Sequence, residues 1–376
     1  MRILHVIQYF TATKGGSVFN VYNLSKYLSR RGHEVTIFTT KNEFDPEFAA
    51  TLHPVKVVPF KSYLGFLRYS PEMGRVLEDT INNFDVVHLN NYWSYQNLAV
   101  SRSAIKHKVP YVLSPHGSLP IMMKGHARKI LFERLFGHKI LNNASKIVAV
   151  SEMEYKQVIS KGVLPEKAQV IPNAVDLLED TQCEKGTFRR KFGISNDEKI
   201  VLFLARIHPI KGVDLLVRAF YELTKIRSDV RLVIAGPDEN FLPQVLKEIE
   251  NFGIMDKVVI TGPLYGKDKF AAYMDADIYV LPSRYEIFAI SILEACSCGT
   301  PVIVTENQGI VNFIKGNAGE VVPFRWQEFS RSMEKLLADE KLRAEYGRRA
   351  EKMVKEIFSW DKVIDQYENV YKEVVR

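Results

Sequence analysis

Short β-branched runs alternate with helix-patterned stretches along almost the whole chain, in two separate series, and this alternation limits the possible folds more than any other feature. The first series runs through Ile3 to Ile7, Val35 to Thr39, Val55 to Pro59, Val86 to Leu89, Tyr111 to Leu113 and Ile147 to Val150. The second runs through Ile200 to Leu204, Arg231 to Ala235, Val258 to Thr261, Asp277 to Leu281, Val302 to Thr305 and Gly319 to Val322. Strands separated by helices pair in parallel, and parallel sheets are covered by helices on both faces. The expected class is therefore α/β, with two Rossmann-like doubly wound parallel sheets. The polar, charge-rich stretch 176–198 marks a linker, giving an N-terminal domain at 1–175 and a C-terminal domain at 176–357. A chain of 376 residues is long enough for both. Helical stretches are expected from Trp326 to Ala338 and Glu340 to Ile357. A last helix within 358–376 follows, with Ser359 placed to cap it and Trp360, Tyr367 and Tyr371 on one face.

Two loops of the second series carry charge where a strand ends. One is Arg206-Ile207-His208-Pro209-Ile210-Lys211-Gly212; the other holds Glu286 and, at the eighth position after it, Glu294. Ligands of open α/β sheets sit at the carboxyl ends of the strands. Arg206 and Lys211 can neutralise a diphosphate, and the two carboxylates can accept hydrogen bonds from vicinal hydroxyls. Residues from Ala289 to Cys298 read as a helix closed by Gly299, so the unpaired amides near Phe288, Ala289 and Ile290 favour a phosphate or an electronegative sugar. Taken singly, Glu286 reads as a helix cap and Glu294 as a solvated helix acid; the four charges in this order point to a sugar nucleotide. Asp275-Ala276-Asp277 has the form of a metal-binding D-x-D, but it ends a helix and enters a strand, so its context is structural. Gly15-Gly16 occupies the first βα turn, where missing Cβ atoms let backbone approach a phosphate or sugar. It is also what a plain turn would contain. His116 lies in the Pro115-His116-Gly117 loop after a strand, where a cleft-facing imidazole can serve proton chemistry.

Composition removes other classes. Hydrophobic content of 46% and charged content of 25% suit a globular protein, and no apolar run reaches the ~18 residues of a membrane span. Met1 to Ile7 is too short for a signal peptide and runs into a strand, so a cytoplasmic location is expected. Cys183, Cys296 and Cys298 lack metal-ligand spacing and read as reduced packing thiols. Residues 1–175 hold 22 Lys/Arg against 12 Asp/Glu, a balance of +10; residues 176–376 hold 29 against 32, or −3. The basic first half could attract an anionic membrane or a phosphorylated acceptor. Nucleic acid is disfavoured because aromatics do not interleave with the cations in a binding module.

Arg206 with Lys211-Gly212, the Glu286/Glu294 pair and Cys298-Gly299-Thr300-Pro301-Val302 resemble the retaining glycosyltransferases of the GT-B fold, family 4 in the usual sequence classification. Gly15-Gly16, Pro115-His116-Gly117, Pro172-Asn173-Ala174-Val175-Asp176, Ala235-Gly236 and Phe358-Ser359-Trp360 add to the resemblance, which spans nearly the whole chain. It implies a GT-B architecture, two Rossmann-like domains facing across a cleft, with the last helix crossing back onto the first. The donor would lie mainly on the second domain and the acceptor mainly on the first. Arg206 and Lys211 would bind the diphosphate, Glu294 the ribose hydroxyls, and Glu286 the transferred sugar, helped by the amides of Phe288, Ala289 and Ile290. Tyr265 would lie near the base, with Gly15, Gly16 and His116 on the acceptor side and Gly16 also touching the donor. The donor would be a UDP- or GDP-linked sugar, with no metal or other cofactor. Retention would proceed without an enzyme nucleophile, the departing phosphate oxygen assisting the acceptor hydroxyl.

The chain departs from the family pattern at Ala289 and Ala174, often Gly, and at Gln308-Gly309-Ile310-Val311-Asn312, often Gly-Gly then Glu. Two basic-apolar stretches, Phe60 to Tyr69 and Ile121 to Phe136, read equally as interfacial helices or as helices packed inward. The first reading suits a glycan or lipid-linked acceptor and peripheral membrane contact during surface polysaccharide or glycolipid assembly. The sequence leaves open the oligomeric state. The competing assignments are a sugar-nucleotide epimerase and a non-catalytic nucleotide-sugar-binding protein.

Overall fold

The computed structural model describes residues 1–63, 68–120, 126–177 and 183–375. It separates into two compact units: Met1–Asn173 with Trp360–Arg376, and Ala174–Ser359. Of the linker expected at 176–198, residues 178–182 lie outside the described residues, as do 64–67 and 121–125 of the two basic-apolar stretches.

The first unit is built on seven parallel strands: β1 (Arg2–Val6), β2 (Glu34–Thr40), β3 (Lys56–Phe60), β4 (Val86–Asn90), β5 (Tyr111–Ser114), β6 (Lys146–Ala149) and β7 (Ala168–Val170). Their order is β3-β2-β1-β4-β5-β6-β7. Leu4, Val6, Val87, Leu89, Leu113 and Ile147 are fully buried, as strands covered on both faces require. Three-residue β7 was not expected from the sequence. It is a half-buried edge strand, and Ala168-Gln169-Val170 carries too little apolar signal to be seen.

Helix Trp360–Val375 belongs to this unit. Trp360 stacks on Tyr27 at 5.5 Å and 18°, the Tyr371 hydroxyl lies 2.6 Å from Nδ1 of His88 on β4, and Glu368 lies 3.0 Å from His33. Ser359, the cap candidate, donates its hydroxyl to the Lys355 carbonyl at 3.1 Å, closing the turn before that helix.

The second unit holds six parallel strands: β8 (Lys199–Leu204), β9 (Val230–Ala235), β10 (Val258–Gly262), β11 (Ile278–Leu281), β12 (Val302–Thr305) and β13 (Gly319–Val322), in the order β10-β9-β8-β11-β12-β13. Chain direction across each sheet reverses once, between β1 and β4 in the first and between β8 and β11 in the second. At such a switch point the loops leaving adjacent strands diverge to opposite faces and open a crevice at the carboxyl edge.

Candidate functional site

The two charged loops flank the switch point of the second sheet. Arg206 and Lys211 follow β8, and Glu286 follows β11. Gly212 shows why they meet. Its φ is +70°, and a Cβ there would stand 2.0 Å from the Pro282 carbonyl oxygen, so only glycine lets the two loops touch. The contact is completed by Arg284 N–H donating to the Ile210 carbonyl at 2.8 Å. Lys211 Nζ is thereby brought into an ion pair with the Glu286 carboxylate, with the two side chains only 13% and 17% exposed. Arg206 Nη1 bonds both oxygens of Glu239, at 2.7 and 2.8 Å. Glu239 is held there by its own backbone, which donates to the Ile207 carbonyl at 3.1 Å.

Glu294 lies in helix Ile290–Ser297, which begins after Ala289 with no side chain capping its first amides. Phe288 and Ala289 are buried at this start. The Glu294 carboxylate accepts from Lys269 Nζ at 2.6 Å and from the Tyr273 hydroxyl at 3.2 Å. Burial and the nearby Glu294 charge hold the Tyr273 phenol well above its ordinary range, so it stays a donor. Lys269 and Tyr273 share helix Gly266–Asp275, which starts immediately after Tyr265; that ring is exposed. Each carboxylate and cation of the site is thus paired within the unit. Sequence reasoning missed Lys269 and Glu239, whose partners stand 25 and 33 positions away.

The Gln308 departure is explained by packing. Its buried side chain donates to the Leu281 carbonyl at 2.8 Å and to Thr305 at 3.1 Å, and Gly309 N–H donates to the Glu286 carbonyl at 3.0 Å. The segment braces the loop that carries Glu286. Asp275 and Asp277 have structural partners: Asp275 accepts from Arg189 N–H at 3.0 Å, and Asp277 accepts from Ile200 N–H at 2.9 Å and pairs with Arg189 at 3.1 Å. Among the described residues no group of three His, Cys, Asp or Glu side chains is arranged to hold a metal ion.

In the first unit the sequence candidates follow β1 and β5. Gly15 has φ +79° and leads into helix Gly16–Arg30. His116 and Gly117 after β5 both have positive φ, +50° and +78°. For His116 this is a strained backbone state, of the kind found at functional positions. Its Nε2 lies 3.0 Å from Oδ1 of buried Asn90 at the end of β4. The Asn90 amide donates to the His88 carbonyl at 3.2 Å and more weakly to Val6 at 3.4 Å, so its oxygen must accept from the ring. His116 therefore carries its proton on Nε2 and keeps a bare Nδ1. Burial lowers its pKa to about 4, so the ring is neutral near pH 7.

Residues 14–178 match the family model Glycosyltransferase Family 4 and residues 184–353 match Glycosyl transferases group 1. An uncharacterized glycosyltransferase of Methanocaldococcus jannaschii is 30% identical over 95% of this chain and 94% of its own. The mannosylfructose-phosphate synthase of Agrobacterium fabrum is 26% identical over 94% of this chain and 86% of its own. Among solved structures, Anabaena HepE in complex with UDP and glucose superposes with a TM-score of 0.83 at 18% identity, covering 99% of this chain and 100% of that one. Two parallel-sheet α/β domains of this kind are the GT-B fold, and together with the two family matches they define the class as a GT-B glycosyltransferase. Within that class the chain belongs to glycosyltransferase family 4.

Of the basic-apolar stretches, the described part of the second exposes Ile130, Leu131 and Leu135. No helix among the described residues is long and apolar enough to cross a membrane.

Proposed function

We propose that the protein is a retaining, metal-independent glycosyltransferase moving a hexose-type sugar from a nucleoside diphosphate to a hydroxyl of a glycan or lipid-linked acceptor, in surface polysaccharide or glycolipid assembly. One observation carries the reading: two βα loops at a switch point press Lys211 against Glu286, with Arg206 on the same loop as Lys211. Breaking the bond from sugar to diphosphate builds negative charge on the leaving group. Fixed cations and an uncapped helix start stabilise that charge more in the transition state than in the ground state. Lys211 and Arg206 take the diphosphate, Glu286 the sugar hydroxyls and Glu294 the ribose, with amides of Phe288, Ala289 and Ile290 beside the sugar and Tyr265 beside the base. Gly15, Gly16 and the bare Nδ1 of neutral His116 serve the acceptor side. The acceptor oxygen bonds to the anomeric carbon as its proton passes to the departing phosphate oxygen on the same face.

UDP is the first nucleotide to try, given the UDP bound by HepE, with GDP as the alternative. The exposed Ile130, Leu131 and Leu135 beside Arg128 and Lys129 favour peripheral contact with an anionic cytoplasmic membrane face. The test is a panel of UDP-, GDP-, ADP- and dTDP-sugars with EDTA present, followed by melting shifts and nucleotide release. One donor that stabilises the fold and is turned over supports the reading. Stabilisation without turnover, even with acceptors, leaves a binding protein; conversion of donor to an isomer leaves an epimerase. No shift with any donor overturns the assignment of the site.

A further inference from the structure

Glu154 is fully buried, yet among the described residues no cation pairs with it. Leaving a carboxylate in such a place costs stability unless hydrogen bonds compensate, and here they come from two backbone amides on different loops. One oxygen accepts from Val150 N–H at 2.8 Å and the other from Gly117 N–H at 2.5 Å. The residue lies in the first turn of helix Glu152–Ser160, whose N-cap Ser151 accepts from Glu154 N–H at 3.2 Å. In an ordinary capping box the acid at this position turns back to its own cap residue. Here it reaches out of its helix to the residue after His116.

We propose that Glu154 is a positioning residue for His116: by holding the Gly117 amide it fixes the left-handed turn that, with Asn90, sets the orientation and tautomer of the imidazole. His116 has work to do only under the glycosyltransferase reading proposed above; the geometry stands without it. Within the turn the Ser118 amide and hydroxyl donate to the Pro115 carbonyl at 3.1 and 2.5 Å, bonds that tie the loop to itself. Trp93 Nε1 holds the Ser118 carbonyl and Asn90 holds the His116 ring, but neither fixes the Gly117 amide. The carboxylate ties it to the sheet, across 37 positions of chain. Burial raises the Glu154 pKa to about 7, opposed by its two amide bonds. The titratable groups around it, His116 and Tyr367 of the last helix, are both neutral near that pH, since burial lowers the first and raises the second. The hold on the turn is accordingly strongest when Glu154 is ionised, above about pH 7.

The test uses the full chain, as wild type and as Glu154→Gln and Glu154→Asp, with three readouts. The first is kcat and donor KM across pH; the second is melting temperature at pH 6 and pH 8; the third is the His116 signal in histidine-labelled NMR spectra, assigned with His116→Gln. In Glu154→Gln one amide N–H loses its acceptor. The expected result is a kcat lowered about tenfold or more, with donor KM within about twofold, since the donor groups lie on the other unit. Melting at pH 8 should be no lower than wild type, because a buried charge has been removed. The His116 signal should leave the pure Nε2–H form. Glu154→Asp keeps the charge but lacks reach and should show the same kinetic loss, which covers the case in which Gln fails to fold. In the wild-type protein the His116 signal should shift with a midpoint near pH 7 while the ring stays neutral, a readout that needs no variant. An unchanged His116 signal overturns the proposal, whether kcat and melting are unaffected or fall together as for an ordinary core residue. If wild type turns over no sugar nucleotide, the functional reading falls, and the NMR signal alone decides the role of Glu154.

Discussion

Replacing Glu239 by Gln should make the protein bind nucleoside diphosphates more tightly. Arg206 is paired with Glu239 through one guanidinium nitrogen bridging both carboxylate oxygens. A diphosphate must break that contact before it can use Arg206. The pair is open to water, with side chains 44% and 39% exposed, so its worth is that of a surface ion pair, ~0.2–1 kcal/mol. Releasing it returns that amount to binding, a gain of about 1.4- to 5-fold in affinity. Calorimetric titration with UDP and GDP measures it, and the gain should shrink at high salt because both contacts are screened. The control is the same change in an Arg206→Ala background, where it should gain nothing beyond a small general charge effect. Unchanged or weaker binding in Glu239→Gln, or an equal gain without Arg206, would refute competition for the guanidinium.

Gly212→Ala places a methyl 2.0 Å from the Pro282 oxygen at φ +70°, so the two loops must part; nucleotide affinity should fall at least about tenfold and melting should drop, as seen by calorimetry and thermal scans. Asp277→Ala leaves Arg189 and the Ile200 amide without their shared acceptor and should cost about 3 kcal/mol in denaturant unfolding, with any folded fraction binding donor normally and manganese giving no rescue. The raised pKa of Glu154 makes the folded chain the tighter proton binder, so its contribution favours folding below pH 4.5 and is lost as pH rises through about 7. The loss is about 3 kcal/mol, and it should appear as a decline in stability between those values that Glu154→Gln lacks.

What the sequence reveals follows from range. Val201, Leu202 and Phe203 announce β8 because a strand buried on both faces needs an unbroken apolar run, and Lys211-Gly212 announces the loop because its chemistry and its close approach are both local. Twelve of the thirteen strands among the described residues could be read this way, and the exception is short, half-buried β7. The charges of the two βα loops were legible for the same reason; the residues that pair with them were not. Asn90, Glu154, Lys269 and Glu239 act on partners 26 to 37 positions away, or 25 for Lys269, and no spacing rule reaches that far. One signal was present: Ser151-Glu152-Met153-Glu154 has the form of a capping box, and it foretold a helix start, though not that its acid would bond elsewhere. The roles proposed for Gly15, Gly16 and His116 depend on a partner molecule, which a single chain does not encode.

The helix Trp360–Val375 sets a limit on how this chain can be made. The first sheet leaves the ribosome early, but the helix that covers His88 and stacks on Tyr27 is synthesised only after all of the second unit. At ordinary translation rates of ~5–20 residues per second, the 186 residues from Ala174 to Ser359 mean roughly 10–40 seconds with that apolar face uncovered. The second unit, contiguous in sequence, can close as it emerges. Chains truncated after Ser359 should therefore be cut by protease in the first sheet and spared in the second, the reverse of the order in which the two are synthesised.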